Sequence, residues 1–78
     1  MRRRMVLTKS FGAVVREARH HAKLSQEKLA FQADLHPTYI SQLERGLKSP
    51  SLEVVAALAR ALKRRPYALI QAAEETAR

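Results

Sequence analysis

Thr38, Ser41 and Gln42 stand three and four residues apart in "PTYISQLERG", residues 37–46, with Pro37 just ahead of them and Arg45 just behind. On a helix that spacing gathers them on one face. The face then carries short hydroxyls, one amide and one guanidinium, groups that hydrogen-bond base edges or phosphates without crowding like charges into a groove. A face kept only for solubility would more often carry Glu and Lys. Covalent chemistry finds much less to work with. No nucleophile and base lie at motif spacing, there is no glycine-rich phosphate loop, and the paired carboxylates Glu74 and Glu75 sit near the C-terminal end. The absence of cysteine excludes disulfides, zinc fingers, thiolate catalysis and iron–sulfur sites. His20 and His21 are adjacent, so on a helix they point about 100° apart and make poor co-ligands with His36. The sequence therefore reads as a binding protein, neither an enzyme nor a holder of metal or cofactor.

The elements that must position these residues are helices. Phe11, Val14, Val15, Ala18 and Ala22 recur at the spacing of one helical face, with Ser10 as N-cap of a first helix. Ser25 caps a second, with Glu27 in the first turn, where the macrodipole favours an anion, and Leu29, Ala30 and Ala33 inward. Asp34 ends it. His36 then Pro37 reads as cap and first position of a third helix, since proline lacks an N–H that would be unpaired there anyway. That helix runs to about Arg45, burying Ile40 and Leu43, and Gly46 supplies a left-handed stop. Ser51 caps a fourth helix, "LEVVAALARAL", and Pro66 opens a fifth through about Glu75. The expectation is an all-α fold of five short helices over residues 10–76, preceded by a basic arm over residues 1–9. A joint of about three residues makes the second and third helices cross steeply, so that the first and fourth can clamp the pair while the far side of the third faces out.

Size and charge agree with that reading. A chain of 78 residues is one domain near the lower size limit, burying only about 60% of its unfolded surface. Fifteen Lys and Arg against seven Asp and Glu leave a formal charge of +8, which favours a polyanionic partner. No run approaches the roughly 18 apolar residues of a membrane span. Thr8, Lys9, Ser10 and Gly12 interrupt the apolar run that a secretory signal needs after "MRRR", which places the chain in the cytoplasm.

The runs "LSQEKLA", "YISQLERG" and "SPSLEVVAALARAL" make residues 11–70 resemble the XRE-like helix-turn-helix family of phage Cro and repressor proteins. The resemblance implies a lambda-repressor-like domain that binds double-stranded DNA, with residues 37–45 as the recognition helix in the major groove and the second helix across the backbone. By position, Pro37, Thr38, Ser41 and Gln42 match the base-reading residues, Pro37 without a donor to offer. Gln26, Tyr39, Arg45 and Lys48 match backbone contacts. Arg19 and Glu44 match an ion pair that holds the recognition helix rather than touching DNA. Asp34 and Lys63 stand where the family commonly has glycine, or glycine or asparagine. Among small members, the stand-alone controller proteins of restriction-modification systems are similar in length and share "TYIS", with plasmid or phage regulators as the competing subclass. Arg2 to Arg4 read most simply as a disordered basic arm, with backbone or minor-groove contacts as the alternative.

The fourth helix has almost no polar side, and such a helix is buried nearly all round. A stripe through Leu52, Val55, Ala59 and Leu62 suits the domain's own core. Val54, Leu58 and Ala61, with Leu69 and Ile70 of the fifth helix, are then left for a partner, most simply a second copy in a two-fold homodimer that reads an inverted-repeat operator, unless the fifth helix alone folds back over them. The alternative is an antitoxin, in which the same apolar surface binds a protein toxin and DNA binding serves autoregulation.

Overall fold

The computed structural model describes the backbone of residues 2–77 and the side chains of residues 6–77. Among these residues there are five helices and no strand: α1 (Arg2–His21), α2 (Gln26–Ala33), α3 (Pro37–Glu44), α4 (Leu52–Leu62) and α5 (Pro66–Ala77). Each expected cap that opens an inner helix is formed. Ser25 Oγ accepts from the Lys28 N–H at 3.0 Å, and Ser51 Oγ from the Val54 N–H at 3.1 Å. At the head of α3, His36 Nδ1 accepts the Thr38 N–H at 3.1 Å.

Four helices end in one way, with two backbone bonds wrapped round a left-handed residue. At the end of α2, Asp34 N–H donates to Phe31 O and Leu35 N–H to Ala30 O, with Asp34 at φ 58°. Lys23 after α1 and Lys63 after α4 do the same at φ 61° and 58°. Only the end of α3 gives the position to glycine, Gly46 at φ 77°. Because Asp34 turns the chain within one residue and His36 already caps the next helix, α2 and α3 are joined by three residues, the joint length that the sequence predicts.

Leu29, Ile40, Leu43, Leu58, Leu69 and Val15 form the fully buried centre, ringed by Phe11, Val14, Ala18, Ala30, Ala33, Val55, Ala59, Leu62 and Ala73. Four expectations are corrected here. First, α1 is described from Arg2, so residues 2–9 of the expected arm are helical backbone and Ser10 is a buried mid-helix residue rather than a cap. The contacts of the Arg2, Arg3 and Arg4 side chains lie outside the described residues. The physical reason is tertiary: Leu7, Thr8 and Phe11 line a cleft with Ile70 and Ala73, so α5 supports the first turns of α1. Second, Ala22 is exposed, because α1 stops at His21. Third, Leu52 is 82% exposed, since it opens α4 on the flank of the buried stripe.

The fourth correction concerns the surface left for a partner. Leu58 and Leu69 are 0% and 1% exposed, so both belong to the domain's own core. The remaining three residues of that patch do not form one surface. Val54 shares a notch with Leu35 and Ala57 beside the α2–α3 turn, and Ala61 lies half-buried further along the same stripe. Ile70 is on the other flank, where Leu7, Leu52 and Ile70 border an apolar cleft of about 170 Å³.

Candidate nucleic-acid interface

The geometry of the site starts from one buried carboxylate. Glu44, in the last turn of α3, receives Arg19 Nε at 2.7 Å on Oε2 and Arg19 Nη2 at 3.0 Å on Oε1, a two-pronged pair from α1. The two side chains are only 8% and 3% exposed. Gln26 Nε2, at the start of α2, donates to the same Oε1 at 3.0 Å. Arg19 Nη1 also donates to the Leu24 carbonyl at 2.9 Å, and Nη2 lies 3.3 Å from His20 Nε2, which must be the acceptor because guanidinium has no lone pair to offer. One carboxylate thus ties α1, α2 and α3 together at the C-terminal end of α3. A buried pair of this kind fixes orientation more surely than it adds net stability, since two charges have left water to form it.

Two glycines set how closely the helices approach. A Cβ on Gly12 would fall 2.2 Å from Leu43 O and 3.0 Å from Glu44 O, so only glycine lets α1 cross the backbone of α3 there. A Cβ on Gly46 would meet Lys9 Cγ at 2.7 Å and Lys9 Cα at 3.0 Å. In the sequence, Gly12 reads only as an interruption of an apolar run. Its role in seating α3 is visible only once the two helices cross.

With α3 held from behind, its other side is open. Thr38 and Arg45 are exposed, and Pro37, Ser41 and Gln42 are half-exposed beside them. Lys48 is exposed in the loop that follows. Tyr39 is half-buried against the core, and burial raises its hydroxyl above the ordinary 10.0, which keeps it a neutral phenol able to donate a hydrogen bond. Gln26 differs from the rest, because one N–H of its amide is already committed to Glu44. One residue that sequence reasoning passed over also belongs to this frame: Lys23 ends α1 in the left-handed conformation without any glycine signal. His36 is the cap that the sequence predicts, and among the described residues no three His, Asp or Glu side chains gather as a metal site.

A short capped helix, clamped from behind and turned outward with a neutral hydrogen-bonding face on a domain of charge +8, fits the architecture of a DNA-binding transcription regulator. The comparisons agree. The family model described as Helix-turn-helix matches residues 15–69, and the chain belongs to this family, in its XRE-type branch, a family of DNA-binding regulators rather than enzymes. Control protein C.BamHI of Bacillus amyloliquefaciens is 46% identical over 61 residues, covering 77% of this chain and 75% of that protein. Among solved structures, the restriction-modification controller protein C.AhdI of Aeromonas hydrophila superposes with TM-score 0.78 at 40% identity, over 80% of this chain and 94% of that one. The clp gene regulator ClgR of Corynebacterium glutamicum superposes with TM-score 0.87 at 30% identity, over 91% of this chain and 76% of that one. No helix among the described residues is long and apolar enough to cross a membrane.

Proposed function

We propose that this protein is the controller of a restriction-modification system: a cytoplasmic homodimer that binds an inverted-repeat operator and acts by binding alone. The observation that carries the specific part is the outward face of α3, where Thr38, Ser41 and Gln42 present uncharged donors and acceptors suited to base edges. Pro37 adds an apolar contact at the head of that helix. Arg45, Lys48 and Tyr39 flank the face and supply backbone contacts, and Gln26 contributes with what its bond to Glu44 leaves free. The controller reading is supported by the printed descriptions of C.BamHI and C.AhdI, at 46% and 40% identity. None of these relatives is described as an antitoxin. The homodimer reading is supported by apolar side chains left in water on α4 and α5, Leu52, Tyr67 and Ile70. To read adjacent half-sites of an inverted repeat, the two copies must hold their α3 helices about 34 Å apart, one turn of the duplex.

Selection of bound sites from random duplexes at fixed salt tests the proposal, and an inverted repeat should emerge. Thr38→Ala and Gln42→Ala should each lose about 1–3 kcal/mol of discrimination at particular base pairs, whereas Lys48→Ala should weaken all sequences alike and lower the salt slope by about one. Ile70→Asp should yield folded monomers in sedimentation equilibrium. Enrichment of no sequence, or equal weakening of every sequence by the α3 variants, defeats the base-reading assignment.

A further inference from the structure

We propose that Leu47 makes an apolar contact with the wall of the DNA groove, against a deoxyribose or a thymine methyl, and adds a salt-independent share to operator affinity. Its backbone is fixed. Gly46 N–H donates to Leu43 O at 3.0 Å and Leu47 N–H to Gln42 O at 2.9 Å, so residue 47 is locked to the last turn of α3. In this type of helix end the residue in that place commonly folds its side chain back onto an apolar residue of the last turns. Here the residue that accepts its N–H is Gln42, a polar member of the reading face, and Leu47 stays outside the core cluster with 60% of its surface in water.

Its neighbours indicate what covers it. Arg45 and Lys48 are both exposed and bracket it along the chain. An apolar side chain between two cations complements a surface that alternates charge with hydrocarbon. A DNA strand is such a surface, because phosphates alternate with deoxyribose and the thymine methyl projects into the major groove beside them. The inference rests on the reading of α3 as the helix in the groove, since residue 47 is carried on the end of that helix.

The test is operator binding by the full chain across a salt series. Leu47→Ala should bind each half-site roughly four- to fifteenfold more weakly, the worth of withdrawing about one to two buried carbons, and the loss should be the same at every salt concentration. Lys48→Ala should instead flatten the slope. Urea midpoints equal to that of the parent would show that Leu47→Ala folds normally, as an exposed site requires. Replacing thymine by uracil at the half-site edge separates the two surfaces: weaker binding by the parent but not by Leu47→Ala assigns the methyl, and no effect on either, with the alanine loss intact, assigns the deoxyribose. Unchanged affinity of Leu47→Ala overturns the proposal, as does a loss matched by weaker self-association in sedimentation, which would give Leu47 to the contact between copies. Thr38→Ala on the same duplexes reports on α3 separately. If it keeps full discrimination, the groove reading itself fails; if it loses discrimination while Leu47→Ala binds normally, only the Leu47 contact fails.

Discussion

Replacing Arg19 by alanine should be among the most damaging single changes in this domain. Glu44, 3% exposed in the intact pair, would keep only the Gln26 amide at 3.0 Å, having lost both prongs of the guanidinium at 2.7 and 3.0 Å. Breaking a buried pair by removing one partner costs about 3–5 kcal/mol, because the remaining charge is stranded away from water. A domain of 78 residues has roughly 4–12 kcal/mol in total at the usual stability per residue. Arg19→Ala should therefore remove a quarter or more of the stability. Replacing both partners, Arg19→Met with Glu44→Leu, removes the stranded charge as well, and the double variant should return to within about 2 kcal/mol of the parent. Urea unfolding followed by circular dichroism, with the parent, Arg19→Ala and the double variant fitted to a common slope, measures both effects. A loss below about 1 kcal/mol for Arg19→Ala at unchanged slope would mean that the pair behaves like an exposed salt bridge, and the argument for a clamped α3 would be refuted.

The helix ends give a prediction of opposite sign. Asp34→Gly and Lys63→Gly should each stabilise by about 0.5–1 kcal/mol, since relief of a left-handed side chain outweighs the greater freedom of glycine when unfolded; thermal melts should rise by about 2–8 °C for each. Gly12→Ala should destabilise by about 2 kcal/mol or more because its Cβ would meet the Leu43 carbonyl at 2.2 Å, and a gain of about 1 kcal/mol, as helix propensity alone would give, would show that α1 and α3 do not approach so closely. His36→Ala should cost about 1 kcal/mol through loss of the α3 cap, read from the urea midpoint. For Tyr39, whose folded value lies above the unfolded 10.0, the neutral phenol is favoured in the fold. Its contribution is fully present below about pH 10 and is lost as pH rises through the folded value, which a pH series of unfolding midpoints can follow.

Local signals settled much of this molecule before any coordinates. Ser25, His36 then Pro37, and Ser51 mark helix starts because a cap acts through bonds two or three residues away, and the apolar spacing of Leu29, Ala30, Ala33, Ile40 and Leu43 fixes which side turns inward. The composition of the α3 face, with its hydroxyls and amide, is likewise plain in the sequence. The pairing of Arg19 with Glu44 across 25 positions came from the family resemblance, since nothing in their local setting links them.

What the chain could not declare by itself was decided where helices meet. The start of α1 at Arg2 depends on α5, more than 60 positions away in sequence, and no local cap announces it. Leu52 and Leu58 are the same residue type in one helix, yet one is 82% exposed and the other fully buried, because the rotation of α4 against the core is set by its neighbours. Lys23 and Lys63 occupy left-handed positions at which sequence statistics expect glycine, and hold them because the next helix must begin there. Periodicity and capping act over one or two turns and so are legible along the chain; which flank of an apolar helix stays wet is a property of the packed whole.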